Sequence, residues 1–497
     1  MTNMVTADTV LDARALASEW IREVDGTMFL AGGWSEFDRT LEVLDPESDA
    51  LIGSTPAADG AAVLAALAVA ADARRTSRAL PAYERSRILH EVSHGVEENA
   101  EVFATVIAME GIKTVREARA EAARCAFTLR LCAEEVLRFT SEPPAFGQYP
   151  GSESRIGMTT LEPAGVVSAI TPFNDPLNLV AHKVGPALAA GNTVVLKPHE
   201  QTPFSALLLA RLFERAGLPP GVLQVITGRG SELGDSLVAD PRVRVVSFTG
   251  GWTTGRRIAH AAGVKKLCLE LGGNCPTIVM ADADLEVAVS AIASGAYWAA
   301  GQNCLHVQRL LVQRSVLDEV LHRLAAVVSS LRVGAKLDDA TDMGCVVSAA
   351  SADRIESGIR DAVAQGGRLV TGGGRDGAWI APTLLEDVPL EHPLWCDEVF
   401  GPVTVVQPFH DLDDAIRLAN GVDYGLQAGI FTDSLDTALT ASQALDAGTV
   451  LINDTSDYRL DSMPFGGSKR SGIGREGVRW AMTEFSEPKV VCFNRAR

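Results

Sequence analysis

The sequence predicts an α/β fold built on parallel β-sheets, and three observations lead to that class. At 497 residues the chain is too long for one hydrophobic core, so two or three domains are expected. Its composition, 47% hydrophobic and 22% charged, is ordinary for globular domains. From residue 165 onward, apolar strand-like segments alternate with helical ones, which predicts parallel strands joined by helical crossovers.

The first 163 residues follow a different pattern. Short β segments are predicted at residues 28–30 and 40–44. Between about 59 and 139, apolar residues recur at three- and four-residue spacing with few helix breakers, which predicts helices. The proline-containing segment 140–163 predicts an extended excursion that joins two folded regions.

The alternating part of the chain divides into two α/β regions, with ligands expected at the carboxyl ends of the parallel strands. The first region has predicted strands at 165–170, 193–198, 222–226, 244–250 and 266–271, helices at 177–190, 205–216 and 253–262, and a Gly-rich turn at 228–234. The second has a helix at 285–299, a strand at 309–312, a helix at 316–331, alternation to about 450, and a strand-like tail at 489–493.

Charge and cysteine usage exclude several classes of partner. The formal net charge of −19 argues against nucleic acid or an acidic membrane surface, because both bind basic faces. The eight cysteines are scattered without a CxxC pair, which favours a reducing cytoplasm over a zinc ribbon or a disulfide framework. Residues 1–20 lack the apolar core of a signal peptide, and the run 61–73 is too short to span a membrane.

Residues 90–94, His-Glu-Val-Ser-His, formally match a metalloprotease zinc motif. A zinc site needs a third ligand and a supporting shell, and nothing nearby beyond scattered glutamates supplies one. We therefore interpret His90 and His94 as part of a solvated helix face and predict no metal site.

Two glycine-rich segments are candidates for binding a phosphate. Residues 228–234 approach the dinucleotide fingerprint, but their last spacing is one residue too long. Residues 248–251, Phe-Thr-Gly-Gly, precede a predicted helix, whose N-terminal N–H groups can bind a phosphate. A tight turn without a ligand is the competing interpretation.

Glu270 and Cys304 are the candidate chemical residues. Glu270 ends a predicted strand beside two glycines, where a carboxylate can act as a general base without crowding a substrate; a surface glutamate is the alternative. Cys304 lies in a polar turn before an apolar strand, where backbone N–H groups favour a thiolate and can hold an oxyanion. The alternative for Cys304 is a buried structural thiol.

Seven motifs, in order and at characteristic spacing, resemble those of the NAD(P)-dependent aldehyde dehydrogenase superfamily. The likeness runs from about residue 28 to the C-terminus and is similar to the branch that acts on lactaldehyde, phosphonoacetaldehyde and related short polar aldehydes. The motifs lie at residues 172–174, 197–200, 248–250, 270–274, 301–304, 398–402 and 464–467.

The resemblance implies roles for five catalytic residues. Cys304 would attack the aldehyde carbon as a thiolate, and the Asn174 amide with the Cys304 N–H would stabilise the resulting oxyanion. Hydride transfer to the nicotinamide would leave a thioester, and Glu270 would activate the water that hydrolyses it. Lys183 and Glu476 match family positions implicated in relaying the proton outward.

The resemblance also implies a set of cofactor-binding residues. An acidic Glu200 suits a ribose 2′-OH and would repel a 2′-phosphate, which favours NAD, with NADP as the alternative. The set comprises Ile170, Thr171, Pro172, Phe173, Lys197, Glu200, Gly230, Phe248, Thr249, Gly250, Gly251, Leu271, Glu398 and Phe400.

Substrate contacts are expected from six residues. Arg459 matches the family loop that lines the aldehyde tunnel and suits an anionic substrate tail; a salt bridge to Asp457 or Asp461 is the alternative. Asp175 can accept a hydrogen bond from a substrate hydroxyl or amine. The other candidates are Asn178, Asn303, His306 and Phe465, with Asn303 and Asp175 arguing against phosphonoacetaldehyde itself.

The resemblance implies the aldehyde dehydrogenase fold: a Rossmann-like NAD-binding domain, an α/β catalytic domain and a small β oligomerisation arm. The domains would comprise residues 1–139 and 162–268, residues 269–478, and residues 140–161 with 479–497, respectively. Because the arm's strands extend a partner's sheet in the family, a homodimer or homotetramer is expected.

The expected activity is hydrolytic, NAD-dependent oxidation of a short polar aldehyde that is anionic or hydroxylated. One alternative is a CoA-acylating semialdehyde dehydrogenase, against which Glu270 argues because acylating relatives often lack that base. A non-catalytic protein that retains the fold is another, and Cys304, Glu270 and Asn174 together argue against it.

Overall fold

The computed structural model describes residues 7–495. Residues 1–6, part of the segment expected to lack a signal peptide, and residues 496–497, the end of the predicted arm, lie outside the described residues. The predicted α/β class with parallel sheets is confirmed, and two large sheets carry the fold. No helix in the described part is long and apolar enough to cross a membrane.

The first sheet has eight strands, of which the central five are parallel. The two N-terminal strands and a short strand near the C-terminus flank these five in antiparallel pairing. In spatial order the strands are Gly33–Glu36, Thr27–Leu30, Leu223–Val225, Thr193–Lys197, Val166–Ile170, Val243–Thr249, Lys266–Glu270 and Gly472–Ile473.

The second sheet has seven strands, all parallel except the first, which is antiparallel to its neighbour. In spatial order they are Arg368–Thr371, Thr383–Glu386, Val403–Phe409, Val307–Gln313, Cys275–Val279, Gln427–Phe431 and Thr449–Ile452. The core strands of both sheets are rich in Val, Leu and Ile and are buried along their length, as parallel strands covered on both faces must be.

Helices cover both sheets. After the N-terminal helix, four more helices precede the first parallel strand. The described α-helices are Ala7–Arg22, Gly60–Ala79, Ala82–Glu98, Ala100–Glu110, Val115–Glu135, Asn178–Ala189, Phe204–Arg215, Gly230–Ala239, Trp252–Ala262, Leu285–Tyr297, Leu317–Ser330, Ala349–Ala364, Pro393–Cys396, Leu412–Asn420, Leu435–Ala444 and Val478–Glu484. The helical prediction for 59–139 is thereby confirmed.

Smaller elements complete the described chain. Short 3₁₀ turns occupy Trp298–Gly301 and Arg314–Val316. Four two-stranded sheets pair Thr40–Leu44 with Leu51–Pro56, Arg155–Pro163 with Ser486–Asn494, Arg375–Asp376 with Trp379–Ile380, and Tyr424–Gly425 with Ser468–Lys469.

Two local predictions are wrong. The segment 228–234 is not simply a turn, because helix Gly230–Ala239 begins inside it. Burial of Leu233 and Leu237 outweighs the cost of about 1 kcal/mol that each helical glycine imposes. The helix predicted to reach residue 299 ends at Tyr297, where the chain tightens into a 3₁₀ turn.

The tail and the extended excursion pair with each other. Strand Ser486–Asn494 runs antiparallel to Arg155–Pro163 as a ribbon separate from both large sheets. Its side chains are largely exposed, including Met158 and Val490. The strand-like tail predicted at 489–493 is confirmed.

Arg309 joins the start of a central strand of the second sheet to two other segments. Its side chain is 1% exposed and donates to the Asn274 backbone and side-chain oxygens at 2.9–3.2 Å. It also donates to the carbonyls of Leu418 and Ala419 at 2.9 Å, which closes the end of helix Leu412–Asn420. A planar guanidinium can serve all these acceptors at once.

Arg309→Lys is expected to lower the free energy of unfolding by about 2–4 kcal/mol, because an ammonium cannot reach acceptors in three directions. Chemical denaturation monitored by circular dichroism measures the change. Arg323→Lys, on an exposed helix face, is the matched control and should change stability by about 0.5 kcal/mol or less. Equal effects of the two substitutions would contradict a structural role for the Arg309 fork.

Candidate active site

The candidate site lies where the carboxyl edge of the first sheet faces the amino edge of the second. Glu270 ends a strand of the first sheet, and the chain enters the second sheet at Cys275 after only four residues. Cys304 precedes strand Val307–Gln313 in the second sheet. This arrangement agrees with the expectation that ligands bind beyond the carboxyl ends of parallel strands.

Cys304 follows a turn whose backbone is left-handed at three consecutive residues. Ala299, Ala300 and Gly301 have φ values of 51°, 51° and 64°. Each alanine in that region costs about 1–2 kcal/mol, so surrounding contacts have to hold the turn. Glycine is also required at 301, because a Cβ there would lie 2.2 Å from the Gly401 carbonyl oxygen.

Two buried side chains hold this strained turn. The Gln302 amide donates to the Ala299 carbonyl at 3.3 Å and accepts from the Val347 N–H at 2.9 Å. The Glu117 carboxylate accepts from the Ala299 N–H at 2.7 Å. These bonds fix the backbone that carries the nucleophile, as a preorganised site requires.

The loop after Glu270 packs directly against the Cys304 turn. A Cβ at Gly273 would lie 2.0 Å from the Cys304 carbonyl oxygen, so only glycine allows this approach. A Cβ at Gly272 would lie 2.2 Å from Oε2 of Glu398, whose Oε1 accepts from the Gly273 N–H at 3.0 Å. Gly272 and Gly273 thus allow Glu270, Cys304 and Glu398, all predicted site residues, to lie close together.

Glu270 is a buried carboxyl group without a partner. It is 3% exposed, and neither of its carboxyl oxygens has a hydrogen-bond partner within residues 7–495. Burial and the charge of Glu476 raise its pKa well above the usual range, and Arg459 and Lys183 oppose that rise. Leaving such a group unpaired costs about 1–3 kcal/mol, which indicates that its partner is water or substrate.

The Cys304 thiol is half-buried among protein atoms. Burial raises its pKa well above the ordinary value, Arg459 opposes the rise, and Cys275, Glu398 and Glu270 add to it. The thiol is therefore protonated at rest and needs a base before it can attack. Its carbonyl oxygen also accepts a contact from the Cys275 Sγ at 3.4 Å.

Lys183, Glu476 and Arg459 form a buried ionic chain beside the base. Lys183 Nζ lies 2.8 Å from Glu476 Oε1 and 3.2 Å from Ser247 Oγ. Arg459 Nη2 lies 3.1 Å from Glu476 Oε2. Burial opposes ionisation of Glu476, but the two cations lower its pKa to about 2. Glu476 is thus ionised. It can accept and pass on a proton only when Lys183 or Arg459 moves away from it.

Aromatic rings connect the predicted cofactor residues. The Phe173 ring meets the Phe400 ring edge-on, with centroids 5.7 Å apart, and the His199 ring at 5.3 Å. Lys197 Nζ lies 3.1 Å from Glu200 Oε2. Phe173, residues 197–200 and Phe400, which are distant in sequence, therefore lie around the same region of the structure.

The other predicted cofactor residues border that region. Gly230 begins a helix and lies near Lys197, since a Cβ there would be 3.8 Å from the lysine Cε. Burial raises the pKa of Glu398 to about 7. The rest lie at the ends of first-sheet strands or just beyond them: Ile170, Thr171, Pro172, Phe248, Thr249, Gly250, Gly251 and Leu271.

The residues present fit a nicotinamide dinucleotide. Thr171 Oγ1 and Thr249 Oγ1 are buried at strand ends without hydrogen-bond partners in the described chain. At Gly251, just before helix Trp252–Ala262, a Cβ would meet nothing within 4 Å, so the helix N-terminus is open to a phosphate. Glu200, 32% exposed, offers carboxylate oxygens to ribose hydroxyls.

Arg459 lies against the nucleophile's own packing cluster. Its guanidinium is centred 3.8 Å above the Phe465 ring. Phe465 is 3% exposed and packs with Leu305 and Cys275, against which Cys304 also lies. The alternative of a salt bridge to Asp457 or Asp461 is wrong: Arg459 pairs with Glu476 instead.

Asn174, Asp175 and Asn178 lie together in the loop and first helical turn after strand Val166–Ile170. Asn174 is 6% exposed. Asp175 forms an ion pair with Lys113, and its side chain remains 21% exposed. The Asn178 amide oxygen accepts from Thr128 Oγ1 at 3.0 Å, in the protein interior.

Asn303 and His306 flank the nucleophile and each has an unpaired nitrogen. Asn303 Oδ1 accepts from the Leu305 N–H at 2.7 Å. Asn303 Nδ2 approaches the Asp457 carboxylate but lies outside normal hydrogen-bond geometry. Burial lowers the pKa of His306 to about 3, so the ring is neutral, and its Nε2 lacks a partner among the described residues.

The structure adds charged residues that sequence reasoning missed. Lys113 contacts Asp175, while Arg124 and His182 contact Asp461 at 2.8 Å and 2.9 Å. Lys113 and Arg124 belong to the N-terminal helical region, which carries no motif. Only the packing of helix Val115–Glu135 beside Asn178–Ala189 brings them to the cleft.

The histidine pair of the zinc-like motif lies away from this site. His90 and His94 are both exposed on helix Ala82–Glu98, so the prediction of a solvated helix face is confirmed. His94 lies 3.1 Å from Glu98. Among the described residues no group of three or more His, Cys, Asp or Glu side chains could hold a metal ion.

Comparison with known proteins identifies the family. The model of the aldehyde dehydrogenase family matches residues 34–491. The chain belongs to this family. It is 46% identical over 91% of its length to aspartate-semialdehyde dehydrogenase 1 from Pseudomonas canavaninivorans, covering 96% of that protein. It is 41% identical over 94% of its length to 3-sulfolactaldehyde dehydrogenase from Priestia aryabhattai, covering 98% of that protein.

A solved structure agrees with the same assignment. The NADP-dependent glyceraldehyde-3-phosphate dehydrogenase from Bacillus halodurans C-125, complexed with NADP, superposes with a TM-score of 0.92 at 38% identity. The match covers 95% of this chain and all (100%) of that one. This aldehyde dehydrogenase is therefore an NAD(P)-dependent oxidoreductase that converts aldehydes to acids.

Gly273→Ala is expected to lower kcat/KM of the dehydrogenase by about 100-fold or more, because the added Cβ has to push the Cys304 carbonyl by an ångström or more. Steady-state kinetics with the best aldehyde measures the loss. Gly234→Ala is the matched control: a Cβ there meets nothing within 4 Å, and the helix should gain about 0.5–1 kcal/mol. Full activity in Gly273→Ala would contradict the close approach.

Proposed function

We propose that this protein oxidises a short polar aldehyde, anionic or hydroxylated, to the carboxylic acid with NAD as its preferred cofactor. The observation that carries the proposal is the unpartnered, buried Glu270 carboxyl beside the Cys304 turn. A thiol and a base in one cleft supply the two groups that thioester formation and hydrolysis require.

The mechanism begins at Cys304. Loss of the thiol proton to Glu270 lets the sulfur add to the aldehyde carbon, and the carbonyl oxygen becomes an oxyanion that the Asn174 amide and the Cys304 N–H stabilise. When bound, NAD(P) supplies the acceptor for the hydride that leaves this carbon. The thioester remaining on Cys304 is hydrolysed by water from which Glu270 removes a proton. Lys183 and Glu476 relay both protons outward, the thiol proton before the water is activated, so that Glu270 is a carboxylate again when it acts on the water.

The preference for NAD rests on Glu200. Its carboxylate, held by Lys197 at 3.1 Å, suits a ribose 2′-hydroxyl and repels a 2′-phosphate. The relatives include NADP-dependent enzymes, so NADP is the alternative cofactor. The ratio of kcat/KM for NAD and NADP decides between them.

Arg459 is the proposed receptor for an anionic substrate tail. It is only 7% exposed, and its Nε has no partner within the described chain, so one face of the guanidinium is unused. The relatives named above act, by their names, on aspartate semialdehyde, 3-sulfolactaldehyde and glyceraldehyde 3-phosphate, which are short aldehydes that each carry an anionic group. A planar guanidinium binds carboxylate, sulfonate or phosphate through paired hydrogen bonds.

Three further features belong to the proposal. The exposed ribbon formed by Arg155–Pro163 and Ser486–Asn494 fits an arm that pairs with a second copy, giving a dimer or tetramer that sedimentation analysis distinguishes. The eight cysteines are all unpaired, which fits a reducing cytoplasm. The division into an NAD-binding domain, a catalytic domain and an arm remains a prediction from the sequence.

Purified protein with NAD and a panel of short polar aldehydes is expected to form NADH and free acid without CoA. Cys304→Ala should lower kcat by about 10⁴-fold or more, because no other group forms the thioester. Cys492→Ala, on the exposed tail strand, is the matched control and should keep full activity. A requirement for CoA would favour the acylating alternative, and normal turnover in Cys304→Ala would overturn the mechanism.

Arg459→Ala is expected to raise KM about 10- to 100-fold for aldehydes with an anionic tail, the value of a charge-assisted hydrogen-bond pair. Neutral aldehydes of the same length should show little change in KM. Arg459→Met separates charge from packing on Phe465, since it keeps an apolar cover over the ring. Equal increases for charged and neutral aldehydes would refute anion binding at this position.

A further inference from the structure

A cavity lined by arginines lies at the amino edge of the first sheet, opposite the carboxyl edge that carries the candidate active site. Gly165 immediately precedes strand Val166–Ile170, and Gly191 lies shortly before strand Thr193–Lys197. The cavity has a volume of about 320 Å³ and is lined by Ala71, Asp72, Arg74, Arg75, Arg78, Pro163, Gly165 and Gly191. Small-molecule sites begin at about 300 Å³, so there is room for an organic ligand.

Two glycines of the cavity let arginines from different elements approach it. A Cβ at Gly165 would lie 2.9 Å from Cγ of Arg244 and 3.2 Å from Nε of Arg74. A Cβ at Gly191 would lie 2.7 Å from Nη1 of Arg85. The Gly165 N–H donates at 2.9 Å to the side-chain oxygen of the residue that follows Gly191, which holds the two glycines close together. Two helices and a strand thus bring guanidinium groups to one place.

Five arginines surround this cavity, and few acids accompany them. We call the set the arginine cluster; it comprises Arg74, Arg75, Arg78, Arg85 and Arg244. Arg78 forms an ion pair with Glu162. The other four have neither an ion pair nor a side-chain hydrogen bond to any described side chain or backbone group. Asp72 is the one acid among the residues that line the cavity.

This concentration of positive charge is unusual for so acidic a protein. Acidic residues outnumber basic ones by 63 to 44, and the formal net charge is −19. Arg87 and Arg242, which lie close in sequence to the cluster, both pair with carboxylates. Guanidinium groups held side by side without counter-charges repel one another, and an anion between them removes that repulsion.

Solvation alone does not account for the arginine cluster. Water can satisfy the exposed guanidinium groups of Arg74 and Arg75 at little cost. Arg85 differs, because its Nε is buried without a partner among the described residues, and burial lowers the pKa of its guanidinium. Capping of a nearby helix end by these arginines is also excluded, since no side-chain bond from the four to a described carbonyl is formed.

We propose that the arginine cluster binds a small anion with at least two linked phosphate groups, at a site separate from the active site. Guanidinium groups bind phosphate oxygens through paired, charge-assisted hydrogen bonds. A single orthophosphate has too few oxygens to form such pairs with guanidinium groups on both glycines. A diphosphate spans more of the cavity and supplies the counter-charges that Arg74, Arg85 and Arg244 lack.

Isothermal titration calorimetry with inorganic pyrophosphate tests the site on the full-length protein. The protein is first saturated with its nicotinamide cofactor, so that the cofactor's own phosphate-binding region is blocked. Pyrophosphate is expected to bind, and orthophosphate should bind at least about 10-fold more weakly because it loses one set of charged hydrogen bonds.

Substitutions in the arginine cluster should weaken pyrophosphate binding selectively. Arg244→Gln should weaken it about 10-fold and the double variant Arg74→Gln/Arg75→Gln about 100-fold, as expected for one and two charged contacts. Arg314→Gln is the matched control, because Arg314 is exposed and has no ion pair among the described residues. It should change the affinity by less than about 2-fold. Without pyrophosphate, all these variants should keep the wild-type kcat/KM for the aldehyde.

ADP in place of pyrophosphate distinguishes a nucleotide from a free polyphosphate as the source of the anion. Tighter binding of ADP than of pyrophosphate, lost in the double variant, supports a nucleotide; tighter binding of pyrophosphate supports the free anion. Thermal unfolding reports whether each variant is folded, and Arg244→Gln decides the question if the double variant is not. Absence of pyrophosphate binding, equal affinity for orthophosphate, or unchanged binding in the folded cluster variants would overturn the proposal.

Discussion

Steric contact between two loops is the constraint on which this site depends. The turn that carries Cys304 and the loop that follows Glu270 touch at Gly273, where no side chain fits. That contact sets how far Cys304 lies from Glu270, and Gly272 sets the distance of both from Glu398. Hydrogen bonds with backbone groups hold the two loops in place; they are made by the side chains of Gln302, Glu117 and Arg309. Protein interiors are packed too densely to accommodate a residue larger than glycine at such a contact.

Several polar groups around this contact have no hydrogen-bond partner among the described residues. Glu270, His306 and Arg459 each have a buried atom without a partner among the described residues. A folded chain normally satisfies over nine-tenths of such groups, because each exception costs free energy. In the proposed function, bound cofactor and substrate would complete the hydrogen bonding of these three groups. The free energy lost in folding is recovered when cofactor and substrate bind.

The sequence was sufficient for the fold class, most elements and the residues that lie in motifs. Local pattern made Cys304 and Glu270 candidates with structural alternatives, and the resemblance of the motifs to a family favoured their chemical roles and added Glu398. The ion pairs of Lys113 and Arg124 were not predictable in the same way, because neither residue lies in a motif. Lys113 lies in the loop before helix Val115–Glu135 and Arg124 within that helix, and they meet Asp175 and Asp461, respectively, only through packing. The partner of Arg459 was also missed: sequence proximity suggested Asp457 or Asp461, but the backbone directs the guanidinium towards Glu476. Short sequence separation does not determine which charges meet in a folded loop.

One carboxylate, Glu476, is shared by two cations with different tasks. Lys183 belongs to the proposed proton path and Arg459 to the proposed anion site, yet each occupies one oxygen of Glu476. A substrate anion that attracts the Arg459 guanidinium would weaken its ion pair with Glu476. The affinity of the Glu476 carboxylate for a proton would then rise. Substrate binding and proton release would then be thermodynamically coupled, so that the exit route for the proton opens only when the cleft is filled.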